Sequence, residues 1–541
     1  MPQEHGNQAS QVCLIRPPTV TSVSAVGLDA IPPIGLAYIA GTLRDAGYSV
    51  NVIDGCGEAV KQYTVVHDKV EYLIHGLKTS EIVDRIPEDV EVIGFSCMFT
   101  VEWPISKEIL LAIHKKFPNA LVVAGGEHIT SSPEFVMDDC PPVDVCVLGE
   151  GEETINELVE AYYSKKPFSE VAGICFRDGE KYTRTSTRKR IKQISEIPWP
   201  AWDLFPVTEY IDNGLTQGIN LGRSIPILAS RGCPYACTFC SSVFMWTQRW
   251  NVRDPEDVIA EIKKYMKEYA VTNFDFADLT AIIKKEWVVR FATMLIEQNL
   301  NITWQLPSGT RSEVLDNEVT TLMYRSGCRS LNYAPESGSK EELIRIKKRV
   351  KLDRMLDSMK GAKASGLEIK ANLIFGMPGQ TWKDVRHTFK FIVQLAWVGV
   401  DAIGSFAYSP YPGSELFKQL QDEGRIDLDA KYFNDLLGYS DPLHTTVSYN
   451  PKFSPKMLSF LCFTSMSMFW GLSFVFRPKR AFVLFYQLLT RDNSSKLAYI
   501  LSNKLRKKSA KKMAEQSGDQ TVVINDMFKP VAQKQANAGR G

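Results

Sequence analysis

The sequence predicts an α/β protein with an N-terminal doubly wound (Rossmann-like) domain, a partial parallel (β/α)6 barrel and a helical C-terminal segment. Two observations lead to this fold class. In the first 165 residues, and again from Pro226, short apolar runs alternate with amphipathic segments, the pattern of parallel strands covered by helices. From about Tyr432 the alternation stops, and residues 457–476 form an apolar run of 20 residues without a formal charge. A chain of 541 residues is long enough for two or three domains.

The first domain, residues 10–165, is predicted from five apolar strand segments with helical patterns between them. These segments are "QVCLI" from Gln11, "SVNVI" from Ser49, "EVIGFS" from Glu91, "ALVVA" from Ala120 and "VDVCVL" from Val143. Ligands of doubly wound sheets bind beyond the carboxyl ends of the strands.

Three loops follow strands of this sheet and predict a cofactor site at one edge. They are "FSCMFT", "AGGEHIT" and "LGEGEET", in which glycines allow close approach of a ligand and hydroxyls and helix N-termini supply donors. For each loop alone, an ordinary strand-to-helix turn is an equally good interpretation. The candidate cofactor-binding residues are Ser96, Gly125, Gly126, His128, Thr130, Gly149, Glu150 and Gly151.

Residues 166–225 are predicted to connect the two domains, and residues 226–432 to form the barrel. The connector contains a hairpin pattern, "VAGICFRDGEKYTR", and a Pro/Trp-rich stretch, "EIPWPAWDLFP", that indicates an ordered bridge. The six predicted barrel strands are "PILAS", "NFDFA", "NITWQL", "SLNYA", "EIKANLIF" and "DAIGSFAY". In barrels, the chemistry belongs at the carboxyl ends of the strands.

Three cysteines follow the first barrel strand at once, in the run "RGCPYACTFCSS". They are Cys233, Cys237 and Cys240. A structural zinc site closes with four protein ligands, and only the isolated Cys328 and Cys462 could be nominated as a fourth. The pattern therefore predicts an iron–sulfur cluster with one iron left open for chemistry.

The spacing CxxxCxxC, with Phe239 before its last cysteine, resembles the signature of the radical S-adenosylmethionine (radical SAM) enzymes. The resemblance implies a 4Fe-4S cluster whose open iron is chelated by S-adenosylmethionine, which is then cleaved to a 5′-deoxyadenosyl radical. "YAPESGS", with Glu336 and Ser337, and "NLIFGMPGQT", with Gly376 and Gly379, look like this family's cosubstrate-binding motifs. Arg311 in "PSGTRSE" is a candidate for binding a carboxylate or a substrate anion, or is a solvated loop charge.

The N-terminal domain resembles that of the cobalamin-binding subgroup of this family. The resemblance rests on "IPPIGLAYIAGTLRDAGYSVNVID", "GGEHIT" and "GEGEET". None of the seven histidines has an aspartate two residues before it, so the histidine that binds cobalt in D-x-H-x-x-G proteins is absent. His128 is therefore expected to contact the corrin or its tail, or to cap a helix, but not to bind cobalt.

The resemblance implies an enzyme that methylates an unactivated carbon with S-adenosylmethionine and cobalamin as cofactors. Oxidative cyclisation or another radical rearrangement with the same cofactors is the alternative, similar to Mg-protoporphyrin monomethyl ester cyclase. A non-catalytic cobalamin-binding or redox-sensing protein is the hypothesis from another class. An electron donor such as flavodoxin or ferredoxin is expected, and the substrate is expected to be a small molecule such as a terpenoid lipid or a tetrapyrrole.

Composition favours a cytoplasmic protein that does not bind nucleic acid. Lys and Arg (63) balance Asp and Glu (62), the N-terminus lacks the pattern of a secretory signal, and 11 cysteines at irregular spacing indicate reduced thiols. The segment 433–506 is expected to be helical. Three placements of its apolar run are open: a buried helix, a helix at the inner face of the membrane that the basic "KLRKKSAKK" anchors, or a helix that spans the bilayer. Residues 507–541 are predicted to be a disordered tail.

Overall fold

The computed structural model describes residues 11–23, 30–67, 71–310, 314–438, 445–490 and 495–524. Among these residues, the N-terminal part has ten strands: β1 Gln11–Arg16, β2 Thr19–Ser22, β3 Ser49–Asp54, β4 Gln62–Val66, β5 Tyr72–His75, β6 Val92–Ser96, β7 Leu121–Gly125, β8 Val145–Val147, β9 Ile174–Asp178 and β10 Lys181–Arg184. Its helices are α1 Ile34–Asp45, α2 Thr79–Arg85, α3 Trp103–Lys116, α4 Glu127–Ser131, α5 Pro133–Asp139 and α6 Glu152–Tyr163.

The first sheet has seven strands in the order β10-β9-β8-β7-β6-β1-β3. Strands β3, β1, β6, β7 and β8 pair in parallel, and their apolar side chains are buried under helices, as the continuous apolar runs predict. The hairpin β9–β10 joins β8 in antiparallel pairing. The segment predicted to begin the connector therefore completes the first sheet.

The remaining strands form the barrel and two small sheets. They are β11 Ser224–Ile227, β12 Ser230–Arg231, β13 Asn251–Val252, β14 Asn273–Phe276, β15 Thr303–Thr310, β16 Cys328–Glu336, β17 Glu368–Phe375, β18 Ala402–Ala407 and β19 Thr521–Val523. The helices are α7 Val207–Asp212, α8 Ser242–Trp246, α9 Pro255–Tyr269, α10 Lys285–Glu297, α11 Asn317–Arg325, α12 Lys340–Arg345, α13 Leu352–Ala364, α14 Trp382–Val398, α15 Glu415–Asp422, α16 Ala430–Leu437, α17 Pro455–Phe476, α18 Lys479–Thr490 and α19 Lys496–Ser517.

The barrel sheet is parallel throughout, in the order β11-β14-β15-β16-β17-β18. Its end strands β11 and β18 do not pair with each other in the described part of the chain, so the barrel is open. All six strands overlap predicted strand segments, although β11 begins at Ser224, before the predicted start at Pro226; the partial (β/α)6 barrel is confirmed.

Helix α17 packs against β18 and α14 at the end of the barrel sheet. Its buried residues recur every three or four positions and so share one face: Leu458, Leu461, Cys462, Ser465, Phe469 and Ser473. The Ser465 hydroxyl donates to Ser405 Oγ of β18 at 2.8 Å. Among the described residues, α17 is the one helix long and apolar enough to cross a membrane. Its packing along β18 and α14 favours the buried-helix hypothesis over the bilayer span.

Helix α17 runs antiparallel to β18. Its start lies against the loop after β17, where Leu458 occupies the space that a side chain on Gly376 would need. Its end lies at the opposite end of the barrel, where Arg477 donates to the carbonyls of Ala396 and Trp397, each at 2.9 Å.

The prediction of a disordered tail from residue 507 is wrong for residues 507–524. Helix α19 continues through Ser517, and β19 pairs in antiparallel fashion with β4. The resulting sheet has the order β19-β4-β5-β2. It shares a small apolar core with α19 through Tyr63, Leu73 and Ala510. Residues 525–541 lie outside the described residues.

Candidate active site

The three-cysteine loop joins β12 to α8 at the carboxyl end of the first barrel strand. Buried Asp278, which follows β14, fixes the start of this loop. Its carboxylate accepts hydrogen bonds from the amide of Ala229 at 3.1 Å and from the hydroxyl of Ser230 at 2.5 Å. Burial raises the pKa of Asp278 to about 6, although these donors oppose the shift. Asp278 is thus a buried anchor of the loop.

The cysteines of the loop differ from the other eight of the chain in exposure. Cys233, Cys237 and Cys240 are partly exposed, whereas the other eight, including Cys328 and Cys462, are buried. The Thr280 hydroxyl donates to Cys233 Sγ at 3.5 Å. Burial raises the pKa of the Cys237 thiol, Lys348 lowers it, and Cys240 and Cys233 raise it further. The three sulfurs are therefore close enough to interact electrostatically.

No group of three His, Cys, Asp or Glu side chains within the described ranges could hold a single metal ion. A cubane cluster does not need the three sulfurs on one metal ion, because each thiolate of a cubane binds a different iron. The other eight cysteines are all buried, so none of them offers an exposed fourth thiolate. The donor set thus fits a cluster with one open iron.

Glu336 ends β16 in a strained conformation close to this loop. Its φ of 62° lies in the left-handed region, which costs a non-glycine residue about 1–2 kcal/mol. Its carboxylate pairs with Lys348 Nζ at 2.9 Å; Glu336 is buried, and Lys348 is partly buried. Lys348 also lies 5.8 Å from the centre of the Phe239 ring. Lys348 therefore links the motif around Glu336 to the cysteine loop, a role for which the sequence gives no signal.

A chain of hydrogen bonds connects the loops that follow β16 and β17. The Ser337 hydroxyl donates to Glu342 Oε2 at 2.6 Å, and Gln380 Nε2 donates to Glu342 Oε1 at 2.8 Å. The amide of Gly376 donates to Gln380 Oε1 at 2.7 Å. The two motifs around Ser337 and Gly376 are thus held as one unit. Gly379 lies in the same turn, with a φ of 78°.

The C-terminal segment braces the Gly376–Gly379 loop from outside. Buried Asn450 donates through Nδ2 to the carbonyl of Met377 at 2.7 Å and to that of Gln380 at 3.0 Å. Gly376, whose φ is 85°, would clash with Leu458 of α17 if it had a side chain, because a Cβ there would lie 2.8 Å from the Leu458 methyl groups. The sequence did not indicate Asn450 or Leu458 as parts of the site.

The three loops of the first sheet come together at one edge, as predicted. Ser96 and Gly125 are paired neighbours in β6 and β7. The amide of Gly149 donates to Thr130 Oγ1 at 3.0 Å, which ties the third loop to the second. Gly126 has a φ of 115°, and a Cβ there would lie 2.4 Å from the Cys97 carbonyl oxygen. Gly126 is therefore required by the packing of the loops themselves.

Gly151 and Glu150 are both engaged with the protein itself. A Cβ on Gly151 would lie 2.9 Å from Ile39 Cδ1 of α1. The buried Glu150 carboxylate pairs with Arg190 and Arg231, the latter at 3.3 Å, and accepts from the amide of Ile191 at 3.0 Å. The Glu150 carboxylate, which the sequence predicts to bind the cofactor, is thus already paired with these two arginines. Glu150 instead ties the first sheet to the start of the cysteine loop.

His128 is buried in an aromatic cluster. Its ring lies 5.2 Å from that of Trp103 and 6.4 Å from that of Phe433 in α16. Neither ring nitrogen has a hydrogen-bond partner in the described part of the chain. Burial lowers the pKa of His128 to about 3, so the ring is neutral. His128 is thus a buried polar group next to the cofactor-site loops, with two unused ring nitrogens.

The edge of the first sheet faces the cysteine loop. The Ser241 hydroxyl, one residue after Cys240, donates to the Glu127 carboxylate of α4. A Cβ on Gly149 would lie 3.8 Å from the Met245 carbonyl oxygen of α8. Two cofactors held at these loops would therefore adjoin one shared space. Arg311 lies outside the described residues.

Comparison with protein families agrees with both halves of this arrangement. The B12 binding domain matches residues 21–159, and the Radical SAM superfamily matches residues 227–392, the stretch that contains the three cysteines. The chain belongs to the radical SAM superfamily and carries a B12-binding domain. Its cofactors are a 4Fe-4S cluster, S-adenosylmethionine and cobalamin.

Curated relatives of this radical SAM enzyme share most of its length. It is 29% identical over 409 residues, 75% of this chain and 82% of the relative, to an uncharacterized methyltransferase of Pyrococcus horikoshii. It is 27% identical to the cytidylyl-2-hydroxyethylphosphonate methyltransferase of Streptomyces wedmorensis, over 74% of this chain and 80% of the relative. It is 26% identical to the anaerobic magnesium-protoporphyrin IX monomethyl ester cyclase of Cereibacter sphaeroides, over 74% of this chain and 62% of the relative.

The fold of the radical SAM enzyme is also that of a solved structure. The cobalamin-dependent S-adenosylmethionine radical enzyme OxsB, with aqua-cobalamin and S-adenosylmethionine bound, superposes with a TM-score of 0.64 at 15% identity. The match covers 95% of this chain and 80% of OxsB. The two-domain arrangement followed by a helical C-terminus is therefore a known architecture.

Proposed function

We propose that this enzyme transfers a methyl group to an unactivated carbon of a small molecule. When bound, the cluster with S-adenosylmethionine supplies a radical that removes hydrogen from carbon, and cobalamin supplies the methyl group. The observation that carries the proposal is the direct contact between the two cofactor regions, through Ser241 and Glu127. Both reagents can then reach one substrate carbon without diffusion through solvent.

We assign the cofactor roles residue by residue. Cys233, Cys237 and Cys240 bind three irons and leave the fourth to S-adenosylmethionine. Phe239, Glu336, Ser337, Gly376 and Gly379 line the cosubstrate site, and Arg311 binds its carboxylate or a substrate anion. Ser96, Gly125, Gly126, His128, Thr130, Gly149 and Gly151 form the cobalamin side. The contacts of Glu150 support a structural role for this residue.

Methylation is favoured over cyclisation because the two relatives with the highest identity given above are named methyltransferases. The products distinguish the two reactions. A methylase releases S-adenosylhomocysteine and 5′-deoxyadenosine together, whereas a cyclase releases 5′-deoxyadenosine without S-adenosylhomocysteine. Anaerobic reconstitution with iron, sulfide and cobalamin, followed by analysis of these products, decides between them.

The proposed substrate is apolar, such as a terpenoid lipid or a tetrapyrrole. Four large apolar side chains are exposed in loops, or in the short helix α8, after strands of the two sheets: Met98, Phe99, Phe244 and Leu279. Exposed apolar residues at the mouth of a site fit an apolar ligand. We further propose that the protein works in the cytoplasm, in peripheral association with the inner face of the membrane, and takes its electron from a carrier such as flavodoxin or ferredoxin.

Replacement of Cys237 tests the cluster assignment. Cys237→Ala should abolish formation of 5′-deoxyadenosine, because one iron loses its thiolate. Bound cobalamin, measured from its visible absorption, should remain, since the first sheet is built from separate residues. Cys328→Ala is the matched control, because that thiol is buried in β16. Cleavage by the Cys237→Ala enzyme at the wild-type rate would contradict the assignment.

A further inference from the structure

Helix α18 exposes the apolar side chains that an amphipathic helix normally buries. Phe482, Val483, Phe485, Tyr486 and Leu489 are 54–76% exposed, and we call them the outer face of α18. Ala481, Leu484 and Gln487, on the other side of the helix, are only partly exposed. Large contiguous apolar surfaces are rare on monomeric soluble proteins and mark interaction sites.

The orientation of α18 is fixed by hydrogen bonds at its first turn. Arg480 donates to the carbonyls of Gly399 and Val400, each at 2.7 Å, and pairs with Asp401 at 2.7 Å. Arg477 caps the last turn of α14, where cations are favoured by the helix dipole. These two arginines are therefore committed to the barrel, and they hold the outer face of α18 away from it.

Every charged side chain of α18 itself is a cation. From Arg477 to Thr490 the chain contains no Asp or Glu. Lys479 is exposed beside the outer face, and the neighbouring α19 exposes Lys508 and Lys512. The basic residues of a protein partner with mixed charges would find no carboxylate on α18 to pair with. A membrane surface with anionic headgroups matches both the apolar face and the lysines.

The length of α18 excludes a span and fits a helix that lies in the interface. Twelve residues correspond to about 18 Å of helix, less than the ~30 Å thickness of the hydrocarbon core. Tyr486, and Trp397 at the end of α14, which is 70% exposed, are side chains typical of the membrane–water interface. The exposed stripe of α17, with Phe460, Phe463 and Val475, extends the apolar surface along the barrel.

We propose that the outer face of α18 docks on an anionic membrane surface. The proposal rests on the proposed function, because it places an enzyme for apolar substrates where those substrates dissolve. The phenylalanines enter the acyl boundary while the lysines stay among the headgroups. The outer stripe of α17 then lies along the membrane, between α18 and the end of the barrel where Leu458 contacts Gly376.

Vesicle flotation of the reconstituted enzyme tests the docking. Wild-type protein should float with vesicles of phosphatidylcholine and phosphatidylglycerol, bind more weakly at high salt, and bind pure phosphatidylcholine poorly. In Phe482→Ser/Phe485→Ser, binding should fall by about tenfold or more for each phenylalanine. The control Leu111→Ser/Ile344→Ser also removes two exposed apolar side chains, and it should bind like the wild type.

Three results would overturn the docking. They are no binding of wild-type protein to either vesicle, equal binding of the Phe482→Ser/Phe485→Ser variant, and a wild-type dimer that this variant converts to a monomer. The last result would make the outer face a contact between two copies of the chain. Cleavage of S-adenosylmethionine, measured without vesicles, keeps the two proposals apart. An active enzyme that ignores vesicles contradicts only the docking, and a vesicle-bound enzyme without methylation contradicts only the function.

Discussion

Asn450 offers a sharp test of whether the C-terminal segment organises the cosubstrate site. Asn450→Ala removes two hydrogen bonds to the carbonyls of Met377 and Gln380. Each bond contributes about 0.5–1.5 kcal/mol, so the ordered conformation of the loop loses about 1–3 kcal/mol of stabilisation. If that order must be restored when S-adenosylmethionine binds, its affinity falls about 5–150-fold. Release of 5′-deoxyadenosine at increasing cosubstrate concentration should therefore show a higher KM.

The variants around this position separate positioning from general stability. Asn450→Asp keeps the size of the side chain but removes both donors, so it should raise the KM at least as much. Asn119→Ala, in the exposed turn before β7, is the matched control. The cobalamin content of all variants should equal that of the wild type. An unchanged KM in Asn450→Ala, or equal losses of cobalamin and cosubstrate binding, would refute the bracing role.

Two further changes probe buried charges. Lys348→Met leaves the buried Glu336 carboxylate without its partner, so the free energy of unfolding should drop by about 3 kcal/mol. The double variant Lys348→Met/Glu336→Gln should recover most of that loss when the free energies of unfolding are compared in a double-mutant cycle. Burial raises the pKa of Glu102 from 4.5 to about 7, against the opposing charge of Arg16. The buried carboxyl is therefore tolerated at no cost below about pH 4.5, where it is protonated in the folded and the unfolded chain, and it destabilises the fold as the pH rises through 7. Glu102→Gln should accordingly raise the free energy of unfolding by about 3 kcal/mol above pH 7 and leave it unchanged below pH 4.5. A stabilisation independent of pH would contradict this cause.

The barrel and its cysteine loop could be predicted because local sequence carries their signals. The apolar run of β17, for example, coincides with the strand from Glu368 to Phe375. Close spacing brings Cys233, Cys237 and Cys240 together whatever the rest of the chain does. In contrast, Lys348 and Asn450 act through contacts that only the folded chain creates, and their neighbours in sequence give no sign of them.

Glu150 and helix α19 show two other limits of prediction from the sequence. A carboxylate after a strand looks the same whether it faces a ligand or arginines 40 and 81 residues away. The part of α19 from residue 507 onwards was not predicted, because it packs with small residues, Ala510 and Ala514, instead of a stripe of large apolar ones. A Lys- and Ala-rich helix of this kind has the composition of a disordered tail.

The pairing of β19 with β4 has a consequence for synthesis of the protein. Strand β4 is translated more than 450 residues before its partner, which it meets at Thr521. Until then the outer edge of β4 has unpaired backbone N–H and C=O groups, which can form hydrogen bonds with a strand of another nascent chain. The sheet β19-β4-β5-β2 is therefore completed only after residues 521–523 have been synthesised. Truncations that remove residues 521–523 should accordingly reduce the yield of soluble protein even where they leave the proposed cofactor-binding residues intact.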